Sequence, residues 1–114
     1  MTFRNNSDLI PPGTCTAMLS AVTKYQNEHG RRYAFTFTLL DRQYLGRTIT
    51  RTTAATLGPK SRLTETITSL NQGKVLPPAQ FNGLIGTRCI LLITQMQNRN
   101  GEIFSMIDRI LYGA

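Results

Sequence analysis

The sequence feature that most constrains the fold is the run YAFTFTLL at residues 33–40. Large apolar side chains in this run alternate strictly with small or hydroxylated ones, and the large ones are Tyr33, Phe35, Phe37 and Leu39. A period of two predicts a β-strand with one buried aromatic face and one hydroxylated face. We therefore expect the core of this protein to be built on a β-sheet.

Three further runs read as strands in the same way. TCTAMLSAVTKYQ follows Gly13, and its alternation breaks after Leu19, which predicts a β-bulge near residues 20–21. TRCILLITQMQ and EIFSMIDRIL follow near the end of the sequence, joined by NRNG. The pair Asn100 and Gly101 in that connection is typical of a tight β-hairpin.

RTITRTT, from residue 47, predicts one more strand, but its orientation stays open. Ile49 is its only large apolar residue, and by strict alternation it shares a face with Arg47 and Arg51. Either these arginines lie at strand ends where the sheet curves away, or Thr48 and Thr50 face the core.

GPKSRLTETITSLNQG predicts the single helix, over residues 59–72. Pro59 suits the first turn of a helix, Gly73 suits its end, and an apolar stripe recurs at helical spacing, formed by Leu63, Ile67 and Leu70. KVLPPAQFNGLIG, with two prolines, is expected to be a loop. The predicted order is β-β-β-α-β-β.

Charge is unevenly distributed along the chain. The sequence contains thirteen basic and six acidic residues, which gives a net charge of +7. Between residues 31 and 62, Asp41 is the only acid among seven bases: Arg31, Arg32, Arg42, Arg47, Arg51, Lys60 and Arg62. Clustered charge of this kind is typical of a protein that binds a polyanion, and arginine suits phosphate contacts. The alternative is a solvated charged face.

The length of 114 residues suits one domain. We expect a polar lead-in over residues 1–13 and a single domain over residues 14–112. No apolar run approaches the roughly 20 residues of a membrane helix. The first residues lack the apolar core of a signal peptide, so a cytoplasmic protein without membrane contact is expected.

Catalytic and metal-binding patterns are missing from the sequence. Cys15 and Cys89 are the only cysteines and His29 the only histidine, too few for a zinc site. We expect both thiols to be buried in the core, with a disulfide conceivable only if strands 1 and 4 are neighbours. The acids show no close pairing and there is no phosphate-binding loop. We therefore expect no catalytic residues, no metal and no cofactor.

Five blocks of the sequence, taken in order, resemble small OB-fold proteins of phages, plasmids and bacteria that are related to single-stranded DNA-binding proteins. The blocks are IPPGTCTAML, YAFTFTLLDRQYLGRTI, GPKSRL, LIGTRCILLI and NGEIFSMIDRIL. The resemblance covers about residues 10–111 and implies an all-β fold with one helix, a five-stranded Greek-key OB-fold barrel. Bacterial relatives end in a tail with an acidic tip, whereas this sequence ends in DRILYGA.

This resemblance also implies a site, because OB-folds bind strands across β2 and β3 and the loops 1–2 and 4–5. The expected nucleic-acid-binding residues are Lys24, Tyr25, Arg31, Arg32, Tyr44, Arg47, Arg51, Arg99 and Phe104. The expected function is non-catalytic binding of single-stranded DNA with little sequence preference, arginines holding the backbone and Tyr or Phe stacking on bases. Tyr44 could instead cap the barrel end, and Phe104 could belong to the core.

Other partners stay open on the same resemblance. A protein-interaction module and an RNA-binding module of the same fold are the alternatives. A homo-oligomer, a dimer or larger, is expected because several barrels on one strand gain affinity together.

Overall fold

The computed structural model describes residues 9–111 of the chain. Its strands are β1 (Gly13–Asn27), β2 (Gly30–Leu39), β3 (Thr48–Ala54), β4 (Arg88–Gln97) and β5 (Ile103–Leu111), and its α-helix is α1 (Arg62–Leu70). Short 3-10 segments lie at Arg42–Tyr44 and Pro78–Leu84. The predicted order of strands and helix is confirmed. Most of the predicted lead-in, residues 1–8, and residue 112 of the predicted domain lie outside the described residues.

All five strands belong to one antiparallel sheet with the order β3-β2-β1-β4-β5. The first three strands follow one another as hairpins, and β4 then returns to pair with the free side of β1. The register between β1 and β2 shifts between Leu19 and Ala21, which confirms the predicted bulge. β4 and β5 join through the predicted hairpin, where Gly101 adopts a φ of 84° that favours glycine.

One side of this sheet carries the core. The alternation of β2 is confirmed, because Phe35, Phe37 and Leu39 are fully buried and Tyr33 is nearly so. The predicted apolar stripe of α1 packs into the same cluster. The sheet is therefore stabilised by β-branched and aromatic side chains, which suit a pleated surface that is buried on one side.

The helix is shorter than the predicted range 59–72. Ser61 is its N-cap, because its Oγ accepts a hydrogen bond from the backbone N–H of Thr64 at 3.1 Å. Pro59 lies in the turn before the cap, so its prediction as a first-turn residue is wrong. No helix in the described part of the chain is both long and apolar enough to cross a membrane.

The helix ends before the predicted C-cap Gly73: its C-cap is Asn71, and Gly73 lies two residues further on. Its N–H donates to the carbonyl oxygen of Thr68 at 2.7 Å, and its φ of 85° lies in the left-handed region. This bond satisfies a carbonyl of the last turn, as in the Schellman motif.

The segment between α1 and β4, expected to be a loop, contains the 3-10 turns of Pro78–Leu84. Phe81 and Leu84, three residues apart, both point into the core. The ring of Phe81 meets Tyr33 edge-on, with 5.2 Å between the ring centroids. This segment therefore covers the core near the β1–β2 hairpin.

The open question about β3 is settled by its burial pattern. Ile49, Arg51 and Thr53 face the core, and the intervening residues Thr48, Thr50, Thr52 and Ala54 face outward. An inward arginine needs hydrogen-bond partners, because a buried charge without them is costly. Its partners come from α1 and β5, as described below.

Cys15 and Cys89 are buried free thiols on neighbouring strands, which confirms their expected core position. The register sets Cys89 opposite Ala17, so the two cysteines lie diagonally. Burial, followed by the neighbouring Cys15, raises the pKa of Cys89 to about 12. At neutral pH this thiol therefore stays protonated and behaves as a small hydrophobe.

Candidate nucleic-acid interface

β1, β2 and β3 share a surface that we call the outer face, on the side of the sheet away from the core. Residues directly opposite one another on antiparallel strands point to the same side. The registers place the outward residues in four rows: Tyr25, Arg32 and Ala54; Thr23, Ala34 and Thr52; Ala21, Thr36 and Thr50; Met18, Thr38 and Thr48.

The outer face contains no acidic side chain. Most of its residues are threonine or alanine, so no bulky group blocks the approach of a flat or extended ligand. Thr36 Oγ1 and Thr50 Oγ1 lie 3.2 Å apart and share a hydrogen bond across β2 and β3. The exposed hydroxyls beside them can donate to phosphate or sugar oxygens.

Tyr25 and Arg32 close the outer face at the tip of the β1–β2 hairpin. They lie directly opposite each other, and Arg32 Nε donates to the Tyr25 hydroxyl oxygen at 3.3 Å. Both side chains are half-buried. The pair offers one aromatic ring and one guanidinium, groups that respectively stack on a base and bind a phosphate.

Lys24 and Arg31 lie on the opposite side of the same hairpin. Lys24 pairs with the inward Tyr33, and Arg31 pairs with Gln26. Both basic side chains are exposed. The structure therefore divides the four predicted residues of the first hairpin into two pairs that face different sides.

A cleft of about 270 Å3 runs along the outer edge of β3, between β3 and β5. Phe104, half-buried, lines it from β5, while Thr50 and Thr52 of the outer face line it from β3. Arg62, at the start of α1, adds an exposed guanidinium, whose Nη2 donates to the carbonyl oxygen of Ile107 at 3.3 Å. Phe104 is thus beside the outer face rather than wholly in the core.

The site predicted from the sequence does not include Arg62, although Arg62 lines this cleft. It sits in the helical block, away from the strands that the resemblance indicates, and only the packing of α1 against β3 and β5 brings it to the cleft. The signal that could have found it is its position directly after the N-cap Ser61, which orients the first turn.

Tyr44 and Arg47 lie together at the other end of β2 and β3. The Arg47 Cζ is 6.0 Å from the centroid of the Tyr44 ring, and Arg47 Nη2 donates to the carbonyl oxygen of Leu9 at 3.5 Å. Tyr44 is half-buried and packs against the core. The backbone carbonyl oxygen of Arg47 accepts a hydrogen bond from the N–H of Leu39, at the end of β2. Leu39 is about 24 Å along that strand from Arg32. Neither Tyr44 nor Arg47 belongs to the outer face.

Arg51, another predicted site residue, faces the core side of β3 and also lines the β3–β5 cleft. Its side chain is 4% exposed, and Nη1 donates to Thr66 Oγ1 at 3.1 Å. Nη2 donates to Glu65 Oε2 at 3.4 Å and to the carbonyl oxygen of Asp108 at 3.3 Å. Burial lowers the pKa of Arg51, while the nearby Glu65 raises it. Its guanidinium ties β3 to α1 and β5.

Arg99 is exposed in the turn between β4 and β5, separate from the groups above. Among residues 9–111, no cluster of three or more histidine, cysteine, aspartate or glutamate side chains could hold a metal ion. Of the nine predicted site residues, Tyr25 and Arg32 lie on the outer face, and Arg51 and Phe104 line the β3–β5 cleft.

No protein-family model matches the chain, and no curated protein matches it.

Proposed function

We propose that this protein is a non-catalytic single-stranded DNA-binding protein with little sequence preference, and that the strand lies on the outer face. The observation that carries the proposal is an outer face without acids in a chain of net charge +7. Tyr25 and Arg32 border this face at one end, and Phe104 and Arg62 border it along the edge of β3.

We propose in addition that the sheet is an OB-fold barrel. In support, β4 lies beside β1 after three hairpin-connected strands, which is the pairing of a Greek key. The two edge strands also approach each other, because Arg51 of β3 donates to a carbonyl of β5. OB-folds bind oligonucleotides across β2 and β3, and these strands form the middle and one edge of the outer face.

Each group on this surface has a physical role in the proposal. Arg32 and Arg62 neutralise phosphates and release counterions. Tyr25 and Phe104 offer ring faces to bases, and stacking tolerates any sequence because every base has a π-face. The threonine hydroxyls position the backbone without reading sequence.

A second candidate, a protein-interaction module, is favoured by apolar residues near the β4–β5 turn. Met96, which is 48% exposed, lies directly opposite the half-buried Phe104, so these two apolar side chains share one side of the hairpin. Large exposed side chains of this kind are common at protein interfaces when they form a patch. A dimer or larger assembly of this chain is one form of this candidate, and RNA is the alternative strand for the outer face.

Fluorescence anisotropy with single-stranded DNA, RNA and duplex DNA at two salt concentrations distinguishes these candidates. Phosphate contacts make the affinity fall steeply with salt, by a slope of about 0.7 per contact on single strands, whereas an apolar protein interface does not. We expect Arg32→Ala to reduce the salt slope by the amount of about one phosphate contact. Tyr25→Ala should weaken binding by about 1–3 kcal/mol and leave the salt slope unchanged.

Arg42→Ala is the matched control, because Arg42 is exposed in the first 3-10 segment and outside the outer face. The salt slope of Arg42→Ala should stay closer to that of the parent protein than the slope of Arg32→Ala does. Affinity that does not respond to salt, or absence of binding to any strand, would move the protein-interaction candidate ahead.

A further inference from the structure

A second and larger cleft, of about 470 Å3, lies on the other side of the β1–β2 hairpin from the outer face. It opens between the hairpin and the 3-10 segment Pro78–Leu84. Its lining residues are Val22, Lys24, Tyr33, Pro78, Ala79, Phe81 and Asn82. The proposed binding of a strand on the outer face does not use this cleft.

The lining combines an apolar floor with polar groups at the rim. Phe81 and Tyr33 are 1% and 9% exposed and their rings meet edge-on beneath the cleft. The open apolar surface of the cleft is therefore formed by the half-buried Val22 and the exposed Pro78 and Ala79. Lys24 and Asn82 are both exposed, and no acidic residue lines the cleft. Such a cleft suits a flat apolar group that carries a negative charge.

Basic side chains continue around the hairpin from the outer face to this cleft. Tyr25 and Arg32 lie on one side of the hairpin, and Lys24 and Arg31, each one residue earlier in its strand, lie on the other. A polyanion that leaves the outer face past Arg32 therefore meets further positive charge when it crosses the hairpin.

We propose that this cleft holds one nucleotide, a base with its phosphate, of the strand that the outer face binds. This inference rests on the proposed function. The ammonium group of Lys24 pairs with the phosphate. The Asn82 amide offers a donor and an acceptor to the edge of the base. The plane of the base lies on the apolar floor formed by Val22, Pro78 and Ala79.

The test measures anisotropy of a labelled thymidine oligomer of about 16 nucleotides, the upper end of the lengths that one OB-fold holds. Asn82→Ala should weaken binding at least about fivefold with an unchanged salt slope, the lower end of what one bidentate base contact contributes. Lys24→Ala should reduce the slope by about one phosphate contact. Lys60→Ala, an exposed lysine in the turn before α1, is the matched control and should leave the slope unchanged.

Arg32→Ala, measured in the same series, separates this inference from the proposed function. If Arg32→Ala weakens binding while Asn82→Ala matches the parent and Lys24→Ala matches Lys60→Ala, the cleft is not a nucleotide site and the proposed function stands. If the parent binds no oligomer at all, both are overturned. Lys24 and Asn82 are exposed, so equal melting temperatures are expected and serve to exclude unfolding as the cause.

Discussion

Arg51→Ala is expected to lower the free energy of unfolding by about 2–4 kcal/mol, because it removes hydrogen bonds from a buried charged group to partners on two other elements. The guanidinium reaches Thr66 and Glu65 of α1 and the carbonyl of Asp108 in β5. Its loss leaves Thr66, which is fully buried, without this donor. Urea denaturation followed by circular dichroism measures the change.

Arg42→Ala is the control for Arg51→Ala, since it removes the same charge from an exposed position. It should change the free energy of unfolding by less than about 0.5 kcal/mol. Under conditions where Arg51→Ala remains folded, its salt slope for single-stranded DNA should equal that of Arg42→Ala. A stable Arg51→Ala protein with a slope reduced by a full phosphate contact would show that Arg51 reaches the ligand after all.

Phe81→Ala is expected to cost about 3–5 kcal/mol, the usual range for truncating a buried aromatic ring. Phe81 is 1% exposed and packs against both Tyr33 and Phe35, with centroid distances of 5.2 and 6.3 Å. The edge-on contact with Tyr33 adds to the loss from burial alone. The measurement is again the free energy of unfolding in urea.

Ile85→Ala provides the matched control at the end of the same 3-10 segment. Ile85 is 46% exposed, so its truncation should cost less than about 0.5–1 kcal/mol. Equal costs for the two variants would mean that the segment does not close the core, and the cleft beneath it would lose its floor.

The sequence predicts those parts of the fold that local pattern controls. Tyr33 to Leu40 alternate, so the inward side of β2 follows from period two alone. The bulge in β1 and the Asn-Gly turn before β5 are likewise set by neighbouring residues and are confirmed. The apolar stripe of α1 follows from helical spacing. The start of the helix does not, because the sequence predicts Pro59 in the first turn whereas the N-cap is Ser61.

The orientation of β3 depends on distant partners, and no local pattern could supply it. Arg51 faces inward because Glu65, Thr66 and the carbonyl of Asp108 receive its guanidinium. These partners lie 14, 15 and 57 residues away in the sequence. A buried arginine and an exposed one therefore look alike until the packing of α1 and β5 is known.

The β-bulge in β1 decides which residues of that strand lie on the outer face. Strict alternation from Cys15 would place Tyr25 on the inward side of β1. The bulge between Leu19 and Ala21 reverses this parity, so Tyr25 faces outward with Arg32 and Lys24 faces the second cleft. The bulge was predicted, but its consequence for the residues beyond it follows only from the register with β2.

The measurement that tests the central claim most directly is the affinity for single-stranded DNA of two variants that carry the same added charge. Thr50→Glu sets an acid in the middle of the outer face, and Gln72→Glu sets one at an exposed position beyond the C-cap of α1. Both lower the net charge equally, and melting temperatures check that both remain folded.

At about 0.15 M salt, Thr50→Glu is predicted to bind at least about tenfold more weakly than the parent, because an acid beside bound phosphates is repelled and must be desolvated. Gln72→Glu is predicted to stay within about twofold of the parent, since exposed charges farther apart than the Debye length, about 8 Å at this salt concentration, are largely screened. Equal losses for the two variants, or a Thr50→Glu protein that binds as tightly as the parent, would contradict the claim that the strand lies on the outer face.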